Sequence, residues 1–440
     1  MFAGGVRSLV DEANHPLLLL HSSWTDFLDS CPWGRVEYVD VFTGADSFLA
    51  ILLEDAAWAE RSAAAFEQAG GVGLTDVALD ARASFQTPRG VLRLLEPGLS
   101  AAEIAAEWSR FDLAVEDVAV LPVSTRLGLA GLDGLPAAVR DAASRSLLAD
   151  AMRDPVRMRS SMGLAGATGL SLEDFERQIG ALAAGLAKAD ERARLNSTVA
   201  QLVGFGTDDC AVTAAVSIGD LDTASTVIVN VPGAGTTLEG VRENVDAAAV
   251  VREATVKNGG GSTAVVAWLG YRAPSLPEVN TTTRAESGAE RFATFLDGVV
   301  ESRAGSPPEH LTVTAHSYGS TLVALALQLT EHRIDDFVAY GSPGFAAGTE
   351  VDELNADEVH ATEAAADHIA RRGRRWAMGR RRDPRGIPGV DVFSSESGEG
   401  TRAVTGHDMT ADESSGAVGY LSRDSSTTAA IARIAVGGRP

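Results

Sequence analysis

The chain has 440 residues, of which 45% are hydrophobic, 6% aromatic and 22% charged, with a formal net charge of -23. That length exceeds one ordinary hydrophobic core and sets two or three domains as the expectation. The acidity excludes a phosphate-backbone binder, which needs a basic face, and two cysteines, Cys31 and Cys210, are too few for a disulfide framework or a cysteine metal site.

From Met1 to about Arg194 the pattern is helical, with Ala-rich segments at Asp55 to Gln68, Ala101 to Phe111, Pro136 to Met152 and Leu172 to Arg194. Ser100 and Ser171 each precede an acidic first turn and predict N-caps, while Gly70-Gly71 and Gly134 predict breaks. The aliphatic run Leu17 to Leu20 is too short for a signal sequence or a membrane span. A cytoplasmic protein without a transmembrane segment is the expectation. The predicted division is an N-terminal helical module over 1–97, a helical region over 98–198 that could cap a site, and a catalytic domain over 199–440.

After Thr198 strands alternate with helices, which predicts a doubly wound α/β domain with a mainly parallel sheet behind an all-helical N-terminal part. The predicted strands are Ala211 to Ile218, Ser225 to Val231, Thr263 to Leu269, Leu311 to Ala315, Asp336 to Tyr340 and Arg375 to Met378. Helices are predicted over Leu238 to Val256, Arg284 to Arg303, the segment after Gly319, and Thr362 to Arg371.

Within "LTVTAHSYGSTL", Ala315-His316-Ser317-Tyr318-Gly319 joins a strand to an apolar helix, with small residues two before and two after the serine. That spacing lets the backbone turn sharply and present Ser317 as a nucleophile. A hydroxyl needs a base, in the chain order Ser, Asp, His. His15 and His21 lie in the helical part, His310 and His316 precede the serine, and His332 ends the helix that begins at the elbow. His360 and His368 read as one polar helix, which leaves His407 after Gly406. For the acid, Asp383 before Pro384 reads as a strand-end loop residue, with Asp391 and Asp408 as rivals. Oxyanion donors are expected from the N–H of Tyr318 and from the Gly233-Ala234 loop in "VIVNVPGAGTT", where glycines allow close approach. Trp268 reads as core and Tyr271 as a pocket residue. The arginines of Arg371 to Arg385 read as a solvated surface, with an anionic subsite as the functional alternative.

Together "GDLDTASTVIVNVPGAGTT", "VAWLGYRAP", "LTVTAHSYGSTL", "FVAYGSPG" and the Asp383 and His407 loops resemble, in order, an actinobacterial α/β-hydrolase family long known only as a domain of unknown function. The helical segment from Leu99 to Leu148 also resembles the region that precedes the hydrolase domain there. The resemblance implies Ser317 as nucleophile, Asp383 as acid, His407 as base, and Gly233, Ala234 and Tyr318 around the oxyanion, with Ala315 where glycine is common. Acyl transfer through a serine, a histidine and an aspartate needs no metal and no organic cofactor. The expected activity is serine hydrolysis of a small or lipid-like ester, thioester or related acyl substrate. The alternatives are an acyltransferase with the same residues, or a catalytically silent scaffold whose N-terminal helices bind a partner protein.

Overall fold

The computed structural model describes residues 89–440, apart from 112, 166–168, 276, 304, 378–381, 399 and 412–414. The expected module over 1–97 therefore lies almost wholly outside the described residues. Thr87–Pro440 forms one compact unit.

The first described elements are helices because small and straight-chain residues fill them and polar side chains close their ends. They are α1 Arg89–Leu94, α2 Ala101–Trp108, α3 Val115–Val118, α4 Val123–Ala130, α5 Ala137–Arg153, α6 Pro155–Ser161 and α7 Leu172–Leu195. Ser100 and Glu103 form a reciprocal capping box on α2, and the Ser171 hydroxyl accepts from the Asp174 N–H at 3.0 Å on α7. In α7, Phe175, Ile179, Leu182, Leu186, Ala189 and Ala193 recur at helical spacing and form a single buried stripe.

Eight strands follow: β1 Ala200–Asp208, β2 Ala211–Ile218, β3 Thr226–Val231, β4 Thr263–Leu269, β5 His310–His316, β6 Ile334–Tyr340, β7 Ala356–Thr362 and β8 Val390–Val392. Their order is β1-β2-β4-β3-β5-β6-β7-β8. Only the β1–β2 and β2–β4 pairs are antiparallel. Helices α8 Val241–Lys257, α9 Thr283–Glu301, α10 Tyr318–Ala326, α11 His368–Trp376 and α12 Ser426–Ile434 complete the domain. One core layer sets Phe292, Phe295 and Leu322 of α9 and α10 on Val227, Val313 and Phe337. The other sets α8, α12 and the helical region on Ile228, Val265 and Val338. Strand order reverses at β3, since β4 lies on one side of it and β5 on the other. In parallel sheets the crevice beyond that switch point is where ligands bind.

Three expectations are corrected. Thr362 to Arg371 is not one helix: β7 ends at Thr362 and α11 begins at His368, so His360 lies in a strand. The run Glu358-Val359-His360-Ala361-Thr362 alternates polar with apolar, as a strand does, and its polar side meets other polar groups on the sheet. Arg375 to Met378 is not a strand, since α11 runs to Trp376. The last strand is instead the short run around Asp391.

The helical region packs along β1, the loop after β2 and α8. Asp222 receives the N–H groups of Ala137 and Ala138 at 2.7 and 2.9 Å, and Asp141 receives that of Leu202 at 2.6 Å. Asp246 of α8 receives Arg192 of α7 at 3.0 Å. Strands lie about 4.8 Å apart, so β1, four strands from β5, stands roughly 19 Å from it. The apolar stripes of α5 and α7 match an open sheet edge and α8. Among the described residues no helix is long and apolar enough to cross a membrane.

Candidate active site

The end of β5 meets α10 at a single residue. Ser317 has φ 50° and ψ -125°, a left-handed backbone that a non-glycine residue adopts only when its surroundings force it, at about 1–3 kcal/mol. Its N–H donates to the Tyr340 carbonyl at 3.0 Å, and the small neighbours make the turn possible. A Cβ on Gly319 would lie 2.6 Å from the carbonyl oxygens of both Val231 and Pro232. A Cβ on Gly233 would lie 2.8 Å from Ser317 Cβ. The loop after β3 and the elbow after β5 are thus pressed together at the switch point.

His407 stands against this elbow. Its Nε2 is 2.9 Å from Ser317 Oγ, and its Nδ1 is 2.8 Å from Asp367 Oδ2. A carboxylate can only accept, so Nδ1 carries the ring proton and Nε2 presents its lone pair to the hydroxyl. The loop is held from behind. His316 Nε2 donates to the His407 carbonyl at 2.7 Å, and the N–H groups of Tyr420 and Leu421 donate to the carbonyls of Asp408 and Met409. Burial, reinforced by the neighbouring His407, pushes the His316 ring down to about 3, so it stays neutral beside His407.

Asp367 is fully buried at the N-cap of α11, five residues beyond β7. Besides His407 it accepts from the Ala370 N–H at 2.9 Å and the Tyr420 hydroxyl at 2.8 Å. Burial alone would raise its pKa, but the bonds from His407, Ala370 and Tyr420 outweigh it and hold the carboxyl below its usual value. Tyr420 is itself fixed by the Ala364 N–H, which donates to its oxygen at 3.0 Å.

The structure brings Ser317 and His407 together and does not bring Asp383 to them. Asp383 accepts from Arg385 at 2.8 Å and lies 3.4 Å from Arg374, in a cluster completed by Glu363. Its expected place at Nδ1 is corrected to Asp367. The Asp391 carboxylate lies 3.5 Å from His360, and Asp408 uses its main-chain carbonyl on Tyr420. Tyr271 is corrected too. It is buried, stacks on Trp268 and donates to the Pro232 carbonyl at 3.3 Å, so it props the glycine loop rather than lining a pocket. The Tyr318 ring points away from the serine, its hydroxyl donating to the Thr281 carbonyl at 2.8 Å, while its N–H belongs to the first turn of α10. Ala234 is half-buried and next to Gly233, and the following Gly235 N–H donates to the Pro274 carbonyl at 3.0 Å.

Sequence reasoning missed Asp367, His316 and Tyr420. A signal for Asp367 existed: an aspartate directly before His-Ile-Ala-Arg-Arg is an N-cap pattern and marks a helix start after a loop.

Residues 208–375 match a family described as Alpha/beta hydrolase. Uncharacterized protein Rv2079 of Mycobacterium tuberculosis is 30% identical over 328 residues, covering 69% of this chain and 48% of that protein. The chain thus spans about half the length of the first relatives it matches, at 48%. Uncharacterized protein Rv0963c of the same species is 32% identical over 209 residues, covering 45% of this chain and 77% of that protein. Among solved structures, carboxyl esterase 2 from Tuber melanosporum aligns over 55% of this chain and 84% of its own, at 13% identity and a TM-score of 0.33. The family match spans the sheet from the end of β1 through α11, including the elbow, and a relative is matched over most of its length; the chain belongs to the α/β hydrolase family.

Proposed function

We propose that the protein is a serine hydrolase of small or lipid-like acyl substrates, working through an acyl-enzyme on Ser317. The observation that carries this reading is the unbroken hydrogen-bonded chain from Ser317 Oγ through His407 to Asp367. His407 Nε2 takes the hydroxyl proton as Oγ bonds to the substrate carbonyl carbon. The carbonyl oxygen becomes an oxyanion facing the N–H of Tyr318 and the Gly233-Ala234 loop, and the start of α10 favours that negative charge. Collapse breaks the bond to the leaving group, which departs with the proton from His407. Water then repeats the sequence: His407 takes its proton, the carbonyl carbon accepts its oxygen, and the acid is released as Ser317 recovers its hydrogen. Asp367, ionised and immobile, holds the imidazole in the required tautomer and stabilises the imidazolium. The residues need no metal for these steps.

The test is labelling with a fluorophosphonate, read by intact mass and peptide mapping, beside turnover of p-nitrophenyl esters of graded length. A single adduct on Ser317, lost together with ester turnover in Ser317→Ala, is the expected result. A folded protein that takes no label and turns over no ester would favour the silent-scaffold alternative.

A further inference from the structure

At the opposite end of the sheet a second polar cluster lies on three neighbouring strands. Asp336 of β6 is the register partner of Glu358 in β7, and His360, two residues on, is the partner of Asp391 in β8. Side chains alternate along a strand and match across it, so all four project from one face. His360 is 1% exposed, and its Nε2 lies 2.7 Å from Asp336 and 3.6 Å from Glu358. Its other nitrogen, Nδ1, is buried without a hydrogen-bond partner and lies 3.5 Å from the Asp391 carboxylate. His310, the first residue of β5, holds the second oxygen of Asp336 at 2.6 Å.

We propose that Asp336, Glu358 and His360 form a binding site for one divalent transition-metal ion, with zinc best suited to the donors. One donor atom from each lies within 4.8 Å of the others. Zinc accepts imidazole nitrogen and carboxylate oxygen at about 2.0–2.2 Å, which sets ligand atoms roughly 3.3 Å apart in a tetrahedron. The Asp336–His360 contact has to open by only about half an ångström.

The partnerless nitrogen singles this cluster out from a surface group of acids. A histidine that ligates through Nε2 keeps its proton on Nδ1 and usually donates it to a carboxylate, and Asp391 stands where that donation would go. Ligation through Nε2 leaves the ring proton on Nδ1, where it can close the 3.5 Å gap to Asp391 and satisfy an atom that otherwise has no partner. His310 orients Asp336 from the outer shell. Glu358 is 71% exposed at its side chain and supplies the route from solvent.

Asp336 pairs with Thr312, five residues before Ser317, which places the cluster about 16 Å from the serine at 3.3 Å per residue. The ion therefore acts as a clamp. It would hold β6 to β7 and, through Asp391, the three-residue edge strand β8.

The test uses the untagged full chain, stripped with EDTA, freed of chelator and titrated with zinc chloride by calorimetry. Cobalt absorption reports the geometry. Expected are one zinc per chain, a Tm that rises with zinc, and tetrahedral cobalt bands. Glu358→Ala, at an exposed position that leaves folding intact, weakens binding at least tenfold, and Asp391→Asn weakens it by about tenfold. Both keep the hydrolysis rate of the unsubstituted chain. Absence of saturable binding overturns the proposal. So does zinc binding of equal affinity in Glu358→Ala, or a site abolished by His407→Ala instead. The zinc stoichiometry, the Tm and the cobalt bands do not depend on Ser317 chemistry.

Discussion

Asp367 and Asp383 differ in what surrounds them rather than in kind. Asp367 has its carboxylate against an imidazole, a tyrosine hydroxyl and a helix N–H; Asp383 has arginines. Replacing Asp367 by Asn forces the imidazole toward the wrong tautomer, so Asp367→Asn should lower kcat by about 10⁴-fold on a short ester. Asp383→Asn should leave kcat/KM within about threefold, because that carboxylate does not touch the imidazole. Equal losses in the two variants would return the acid role to Asp383. A pH dependence follows from the same environment. The folded Asp367 carboxyl titrates below its usual value, held there by His407, Ala370 and Tyr420 against the cost of burial. The stability it contributes is therefore present above the unfolded carboxylate value of about 3.9 and is lost as pH falls through the lower folded value. Urea midpoints measured from pH 5 down to pH 2 should fall more steeply for the unsubstituted protein than for Asp367→Asn.

At the scale of elements, the elbow and the glycine loop form one mechanical unit. Gly319→Ala drives a methyl into two carbonyl oxygens at 2.6 Å, so the turn between β5 and α10 must shift. Overpacking of this kind costs about 1–3 kcal/mol, which urea unfolding would register. Gly233→Ala instead presses on Ser317 itself, at 2.8 Å from its Cβ. Its expected signature is a loss of ester turnover and of fluorophosphonate labelling well beyond the loss in Tm. A variant that unfolds early but keeps the rate at low temperature would contradict that division. The strand β7 carries the complementary lesson. On one face Glu358, His360 and Thr362 are polar because they meet Asp336, Asp391 and Ser395 rather than an apolar layer. With Val359 and Ala361 between them they still alternate polar with apolar over five residues, a strand period that the reading as a polar helix overlooked.

For the whole molecule, the helical region and the sheet share one core layer, so a cut between them is expensive. Leu202, Phe205, Val216 and Val241 pack in the same cluster as Phe175, Leu182 and Leu186. A fragment beginning near Thr198 would expose that surface and leave Leu202 without Asp141 and Asp222 without the N–H groups of Ala137 and Ala138. It should bind a hydrophobic dye and lose a cooperative thermal transition, whereas a fragment beginning at Thr87 should unfold in one transition and keep the ester rate. A well-folded fragment from Thr198 would overturn this reading. If that fragment also turned over esters with altered chain-length selectivity, the result would support a capping role for the helices.

What could be read from the sequence alone was whatever is local. The elbow is a strand, a turn and a helix in a dozen residues, and its small neighbours are a steric requirement visible in the order of the residues. The helix caps at Ser100 and Ser171 and the apolar strands Val227 to Val231 and Thr263 to Leu269 are local in the same sense. The pairing of Ser317 with His407 across 90 residues followed from chain order and elimination, which leaves few histidines to choose from. Aspartates are far more numerous, and which of them meets Nδ1 depends on where β7 ends, how α11 leaves it, and how Tyr420 folds over the loop. Only the assembled sheet decides that, because a carboxylate becomes a partner for the imidazole through distance and burial, neither of which is written in its sequence neighbours. The same reason separates Tyr271 as a prop from Tyr271 as a pocket wall, and sets the helices on the β1 edge.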